Sequence, residues 1–335
     1  MEDCMTRSVR ILAAIFGLLA GARANAQQCA GGPAALDACR KGIDLVNFLS
    51  PQYAAALAGG NPTMAQSGTL GGLGRFAVAV RSTRVIGDFP NFGEKGFATA
   101  GEAPSSYTSA STLIPALSVD ITFGVFRGFD VGQTHMGGVD ALLSGSYMSE
   151  LSQSSLDVAL EGSNTNFGFG VRVGVIEETP TLPGVAVAYL KRDMPRFTVT
   201  GTASQSSGGS TVPGTIVGSS MLVTASSMRL TAGKRFGPVD VTAGVGQDKY
   251  QSAANVLGSI TAAPPIGVQT ASGVAAMDMT RTNVFGGAAF NLAAFKFVGE
   301  YGIATGGSAP AATNTFGSSA SEARKYFSLA IRIGF

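Results

Sequence analysis

The chain has one histidine, His135, in the stretch Arg127–Gly137 (RGFDVGQTHMG), with Asp130 before it and Asp140 after it. A histidine beside acidic, amide or hydroxyl groups is common equipment for proton transfer and nucleophile activation. Asp130 and Asp140 give neither a metal-ligand spacing nor an acid/base pair with it, so a solvated turn histidine is expected. Gly71-Gly72-Leu73-Gly74 and Gly286-Gly287 lack the Lys-Ser/Thr and the strand–helix unit of a phosphate loop. Cys29 and Cys39 are the remaining chemistry. An even pair in an exported chain favours a disulfide over free thiols, closing a loop worth roughly 2–3 kcal/mol by chain entropy. No catalytic residue, metal or cofactor is assigned, and the chain reads as a non-enzyme.

Export is read from residues 1–26. Arg7 and Arg10 precede the apolar run Ile11–Ala20, and Ala24-Asn25-Ala26 has the small-x-small form of a cleavage site. The apolar run is too short for a membrane anchor, which needs about 20 residues. The whole chain is 45% hydrophobic, with 46 glycines, 13% charged residues, no Trp and a formal net charge of +2. That near-neutral balance argues against nucleic acid as a partner.

At the other end, Phe327, Leu329, Ile331, Ile333 and Phe335 alternate with Ser328, Ala330, Arg332 and Gly334. Period-two alternation predicts a strand with one apolar and one polar face, and an Arg on the polar face suits a lumen opposite lipid. This final strand, ending in Phe335, resembles the C-terminal signature of Gram-negative outer-membrane β-barrels, which their assembly machinery reads. The resemblance implies an all-β, antiparallel up-and-down transmembrane barrel in the bacterial outer membrane, with lipid and that machinery as partners.

Ten alternating segments fit such a barrel over residues 75–335: Arg75–Arg84, Ala116–Phe126, Gly138–Met148, Asn164–Glu177, Gly184–Ala203, Ser219–Phe236, Val239–Tyr250, Met277–Asn291, Phe295–Thr305 and Ala323–Phe335. Links after odd-numbered segments are long (85–115, 149–163, 204–218, 251–276, 306–322), and those after even-numbered segments are shorter. That alternation places both barrel ends at the short-link side, the periplasm. Gly184–Ala203 contains Pro195 and reads as one long strand; a hairpin turning at Lys191–Pro195 would instead give twelve strands. His135 falls on the short-link side, away from the outer leaflet where histidine-dependent outer-membrane enzymes work.

The predicted lipid face includes Phe76, Val78, Val80, Val119, Ile121, Phe123, Val125, Phe167, Phe169, Val171, Val173, Val175, Val239, Val241, Val245, Phe295, Phe297, Tyr301 and Ile303. The lumen face collects the basic Arg75, Arg81, Arg172, Arg192, Arg229, Arg235, Arg281, Lys296 and Arg332 and the acidic Asp120, Asp140, Asp240, Asp248 and Glu300. A charge on the lipid face at mid-bilayer would cost about 2–4 kcal/mol. Inward glycines (Gly124, Gly168, Gly170, Gly174, Gly244, Gly246, Gly302) leave space for water, the N-terminal segment or a ligand.

Residues 27–74 precede the barrel. Pro33–Phe48 predicts a helix, with Leu36, Cys39, Ile43 and Val46 on one face, Arg40, Lys41 and Asp44 largely elsewhere, and a stop at Ser50-Pro51. A Gly-rich run follows. The segment is either periplasmic or a lumen plug. Asn61-Pro62 within this run, ahead of a barrel, looks like the plugged fatty-acid transporter type of outer-membrane protein, which implies uptake of hydrophobic ligands. Two uses stay open: a conduit for small or lipophilic solutes, or a structural and surface-interaction barrel with a packed, salt-bridged lumen.

Overall fold

The computed structural model describes residues 28–148, 150–153, 155–207, 210–265 and 267–334. The leader with its cleavage site, and Phe335, lie outside them. The wall is built from β1 (Phe76–Pro90), β2 (Ser109–Phe126), β3 (Gly138–Tyr147), β4 (Thr165–Ile176), β5 (Gly184–Asp193), β6 (Phe197–Ser207), β7 (Ser210–Phe236), β8 (Val239–Thr261), β9 (Val268–Leu292), β10 (Phe295–Thr305) and β11 (Arg324–Gly334). All pair antiparallel with their neighbours, and β11 returns to β1 through Tyr326↔Val85 to Gly334↔Ala77, closing the ring. β5 and β6 occupy one position in it: both pair with β7, β5 with its second half and β6 with its first. The interruption at 194–196 holds Pro195, which has no N–H to give a ladder, and Met194 N still donates to Val223 O at 2.8 Å. There is no hairpin at Lys191–Pro195.

Alternation decides which way each residue faces. On β4, Phe167, Phe169, Val171, Val173 and Val175 are exposed while Gly168, Arg172 and Gly174 are buried. Every predicted lipid-face residue is exposed or half-exposed. An apolar belt running round the whole ring, with charge inside, is stable only against hydrocarbon. Among the described residues no helix is long and apolar enough to cross a membrane, and the strands do so instead. The fold is a transmembrane antiparallel β-barrel.

Most of the described residues in two predicted links are in fact strand. Residues 204–218 and 251–276 were expected as loops because Ser, Gly, Ala and Thr dominate them. Pairing instead continues to Ser207↔Ser210 and to Thr261↔Val268. β7, β8 and β9 therefore run to 27, 23 and 25 residues, far beyond the roughly 9–11 that span a bilayer, and stand as tall hairpins at the long-link end. A smaller hairpin, Leu151–Gln153 with Leu156–Leu160, pairs beside β6. Glu161 secures this region: its carboxylate accepts from Thr198 Oγ1 and from the Ser220 N–H at 2.7 Å, where a β-bulge gives Ser220 a φ of 51°. The Thr198 hydroxyl, with Ser220 N–H, holds the Glu161 carboxyl below its usual range.

The helix α1 (Leu36–Ala58) lies inside the ring and continues past the expected stop through Pro51. Pro51 removes one i→i−4 bond, but Ser50 Oγ to Val46 O (2.6 Å) and Gln52 Nε2 to Phe48 O (3.1 Å) hold the turn together, and walls on all sides leave it no other path. From Asp37 to Ala65 every residue except Arg40 is buried. The polar side of the helix is covered too. Lys41 Nζ donates to Asp37 Oδ2 (2.7 Å) and Gly96 O (2.9 Å), Asp37 accepts from Ala98 N (2.7 Å) and Ala103 N (2.8 Å), and Asp44 Oδ2 accepts from Thr313 N and Asn314 N (both 3.0 Å). The links 91–108 and 306–323 thus fold over the helix start.

Cys29 and Cys39 form a disulfide, and Ala30–Gly31 pairs with Ala271 and Ser272 near the tip of β8–β9. The first described residues therefore sit at the long-link end. Glycine permits the helix–wall contact: a Cβ at Gly258 would come within 2.3 Å of Cys39 N, and one at Gly218 within 2.8 Å of Val46 Cγ2. Gly258→Val should lower stability by about 1–3 kcal/mol through overpacking, read as a drop in the unfolding midpoint of the refolded protein. Gly145→Val, whose nearest contact is the Phe167 ring at 3.9 Å, should leave the midpoint within about 0.5 kcal/mol of the parent.

Candidate functional site

A helix ends with carbonyls that have no intrahelical partner and carry a partial negative charge. Here that end is buried at mid-barrel, away from bulk solvent. Three wall arginines meet it instead: Arg192 NH1 donates to Leu57 O (3.1 Å), Arg229 NH2 to Ala58 O (2.6 Å) and Arg81 NH1 to Gly59 O (2.6 Å). They come from β5, β7 and β1, each at an inward position fixed by alternation.

The arginines are compensated from neighbouring strands. Arg81 Nε donates to Asp120 Oδ2 at 2.8 Å, Ser144 Oγ donates to Asp120 Oδ1 at 2.6 Å, and Arg192 NH2 lies 3.6 Å from the same oxygen. Arg229 lies 3.6 Å from Asp248 and 3.8 Å from Glu300. Glu300 Oε1 then accepts from Asn61 N at 3.0 Å, which ties the ionic cluster to the chain just beyond the helix.

Below the cluster the chain descends to the short-link end. Asn61 Nδ2 donates to Thr231 Oγ1 (3.3 Å), Ser67 Oγ to Gly233 O (3.2 Å), Thr69 N to Glu177 Oε1 (2.8 Å) and Leu70 N to Asp140 Oδ1 (3.1 Å). Arg172 Nε pairs with Asp140 at 2.9 Å. Residues 28–74 thus pass through the lumen from one end to the other. The voids beside Asn61-Pro62 amount to about 10 Å³ or less, under the roughly 10–15 Å³ that one water needs.

Of the predicted lumen charges, Arg81, Asp120, Asp140, Arg172, Arg192, Arg229, Asp240, Asp248, Arg281, Glu300 and Arg332 are buried. Arg281 donates to Glu322 O (2.6 Å) and Ala320 O (2.8 Å), bracing the link above it. Asp240, at the short-link rim, accepts from Lys296 and from Arg235 Nε (2.8 Å). One assignment needs correcting, and another lies at the rim. Arg75 is exposed, because β1 begins one residue later and alternation has nothing to act on before it. The Arg235 side chain is 58% exposed, since it lies beside the Gly237-Pro238 turn, where the wall ends.

The inward glycines make room chiefly for the protein itself. A Cβ at Gly302 or Gly244 would strike the Tyr326 or Phe285 ring, at Gly168 or Gly246 the Arg192 or Arg229 stem, and at Gly124 the backbone of Gly72. Asp37, Lys41, Asp44 and Glu177 towards the lumen ends, and Asn61 at mid-barrel, are partners that strand alternation missed. The i,i+4 spacing of Asp37–Lys41 and Arg40–Asp44 was the available signal. His135 Nε2 lies 2.7 Å from Asp130 Oδ1 on an exposed short-link hairpin, and no metal-binding group of His, Cys, Asp or Glu occurs among the described residues.

No protein-family model and no curated sequence matches the chain. Among solved structures it is similar to the translocator domain of the autotransporter NalP from Neisseria meningitidis, at 11% identity and TM-score 0.31, over 78% of this chain and 88% of that one. It is also similar to the Pseudomonas putida toluene transporter TodX, at 9% identity and TM-score 0.28, over 84% of this chain and 93% of that one. Likenesses this slight transfer no role; the closed pairing and the lumen geometry define the class.

Truncating one member of a buried, hydrogen-bonded charge pair strands its partner and costs about 3–5 kcal/mol. Arg81→Ala should therefore lower the guanidinium unfolding midpoint by an amount equivalent to that range. Arg235→Ala, which removes a largely exposed partner, should cost about 1 kcal/mol or less.

Proposed function

We propose that this protein is a non-enzymatic bacterial outer-membrane barrel, sealed at rest by its own residues 34–74 and used as a structural and surface-interaction element. The observation that carries this reading is a lumen threaded from end to end by residues 28–74, with the two voids beside Asn61-Pro62 too small for water. In this reading the 1–26 leader directs export, the alternating final strand is the assembly signal, and membrane lipid covers the apolar belt. The long-link end faces outward and presents the tall hairpins and the Cys29–Cys39 start of the chain. A second reading, a gated conduit for small or lipophilic solutes, draws support from one feature. The lumen segment is not a wall strand and is held in the lumen by hydrogen bonds and packing, so its displacement would leave the ring intact.

Conductance in planar bilayers tests the choice. The mature protein should give no current steps; steady steps from it would overturn the sealed reading. Current only after deletion of 27–74 would make the segment a removable plug and favour the conduit. Orientation is tested with a membrane-impermeant maleimide on intact cells. Ala263→Cys should label and His135→Cys should not, and the reverse pattern would invert the topology.

A further inference from the structure

The lipid side of the wall carries charge at few points, and at the seam two cations adjoin. Arg84 on β1 and Lys325 on β11 both occupy outward positions and are exposed. Arg84 stands opposite Phe327 in the register, which puts Lys325 at the diagonal position, roughly 7–8 Å away. Neither makes an ion pair among the described residues. Asp88, four residues on along the same face of β1, is already engaged by Arg324 NH1 and Ser318 Oγ, both at 2.6 Å. Other outward lysines have an acid beside them: Lys249 lies 3.4 Å from Asp278, and Asp193 follows Lys191 on one face of β5.

Adjacent like charges repel, the more so where water is scarce. The seam pair is set in apolar surface. Below it run Val80, Phe327, Leu329 and Ile331, Leu117 and Ile303 flank it, and Ile86 and Leu113 continue the surface above it. The cations thus lie inside the long-link edge of the belt, where lipid headgroups meet the wall. Arginine offers a planar fork and lysine a point charge. A phosphate monoester, with about −1.5 to −2 charge and three acceptor oxygens, matches both. We propose that Arg84 and Lys325 bind the phosphate monoester of a membrane lipid, whose acyl chains lie along Val80, Phe327, Leu329 and Ile331. A phosphodiester lipid has one negative charge for two cations, and a soluble phosphate gains nothing from the apolar flank. The site is on the bilayer side of the wall and does not depend on whether the lumen conducts.

The test is native mass spectrometry of the detergent-solubilised full chain with four probes: dimyristoyl phosphatidic acid, the phosphatidylglycerol and phosphatidylcholine of the same chains, and inorganic phosphate. Phosphatidic acid should be retained tenfold or more over the other two lipids. The double variant Arg84→Gln, Lys325→Gln should lose that preference, and Lys249→Gln should keep it. Without lipid, the double variant should unfold at the same temperature or higher, because a repulsion has been removed. Equal retention of the three lipids, a preference that survives in the double variant, or an equal loss in Lys249→Gln would each overturn the proposal. So would inorganic phosphate binding as tightly as phosphatidic acid, which would mark a site for a soluble anion. A lowered unfolding temperature of the double variant would overturn it too, by showing that the cations are partnered within the protein.

Discussion

The structure depends on one constraint: a helix that ends inside a barrel must find donors for its last carbonyls away from bulk solvent. Arg81, Arg192 and Arg229 provide them. Placing three guanidiniums in a closed interior is costly on its own, since desolvation of each ion amounts to several kcal/mol. Asp120, Asp248 and Glu300 offset that cost, and Ser144 and Asn61 add hydrogen bonds to Asp120 and Glu300. The wall charges therefore need the helix as much as the helix needs them. A ring with the same arginines and no occupant would admit water or counter-ions, and a helix of this composition outside the ring would expose Ile43, Leu45, Val46, Phe48 and Leu49 together.

Close approach is the second half of that bargain. Guanidiniums reach backbone carbonyls only where the chain comes near the wall, and glycine on either partner allows it. A Cβ at Gly59 would lie 2.8 Å from Thr83 Cγ2, and one at Gly60 would lie 2.6 Å from Ser328 Oγ; Gly60 also adopts a φ of 72°, which favours glycine. Further out, Gly218, Gly258 and Gly273 flatten the wall where α1 runs alongside it. The high glycine content thus has two physical roles: accommodating the lumen segment and seating large inward side chains on adjacent strands.

The wall was legible in the sequence because alternation is a local, period-two signal. Each of the ten segments corresponds to a paired position, and the inward charges fell on the buried face wherever the strand had begun. The signal failed where it had no contrast. In 204–218 and 251–276, alternating Ser, Gly, Thr and Ala differ too little in polarity to mark two faces, so tall hairpins read as loops. The helix failed differently. Pro51 argued locally for an end, whereas the enclosure that overrides it comes from strands and links distant in sequence. The contact of Phe48 with Phe316 was invisible for the same reason, since the two rings are brought together only by the folding of link 306–323 over the helix.

The helix end also sits at the seam. Gly59 O accepts from Arg81 and, at 3.3 Å, from Thr83 Oγ1, both on β1, and Thr83 in turn bonds Ser328 of β11 at 2.8 Å. β1 and β11 are the pair whose union closes the ring. Docking of the lumen segment and closure of the barrel therefore share the same side chains. Because the segment leads directly into β1, its C-terminal end is tethered to one side of the seam, so bringing it to Arg81 and Thr83 closes only a short loop and costs little entropy. Inserting a 23-residue helix into a finished ring would instead require the links that cover Asp37 and Asp44 to open and then re-form. The geometry thus favours a wall that closes around its occupant, with Gly59 as the point where the two processes meet.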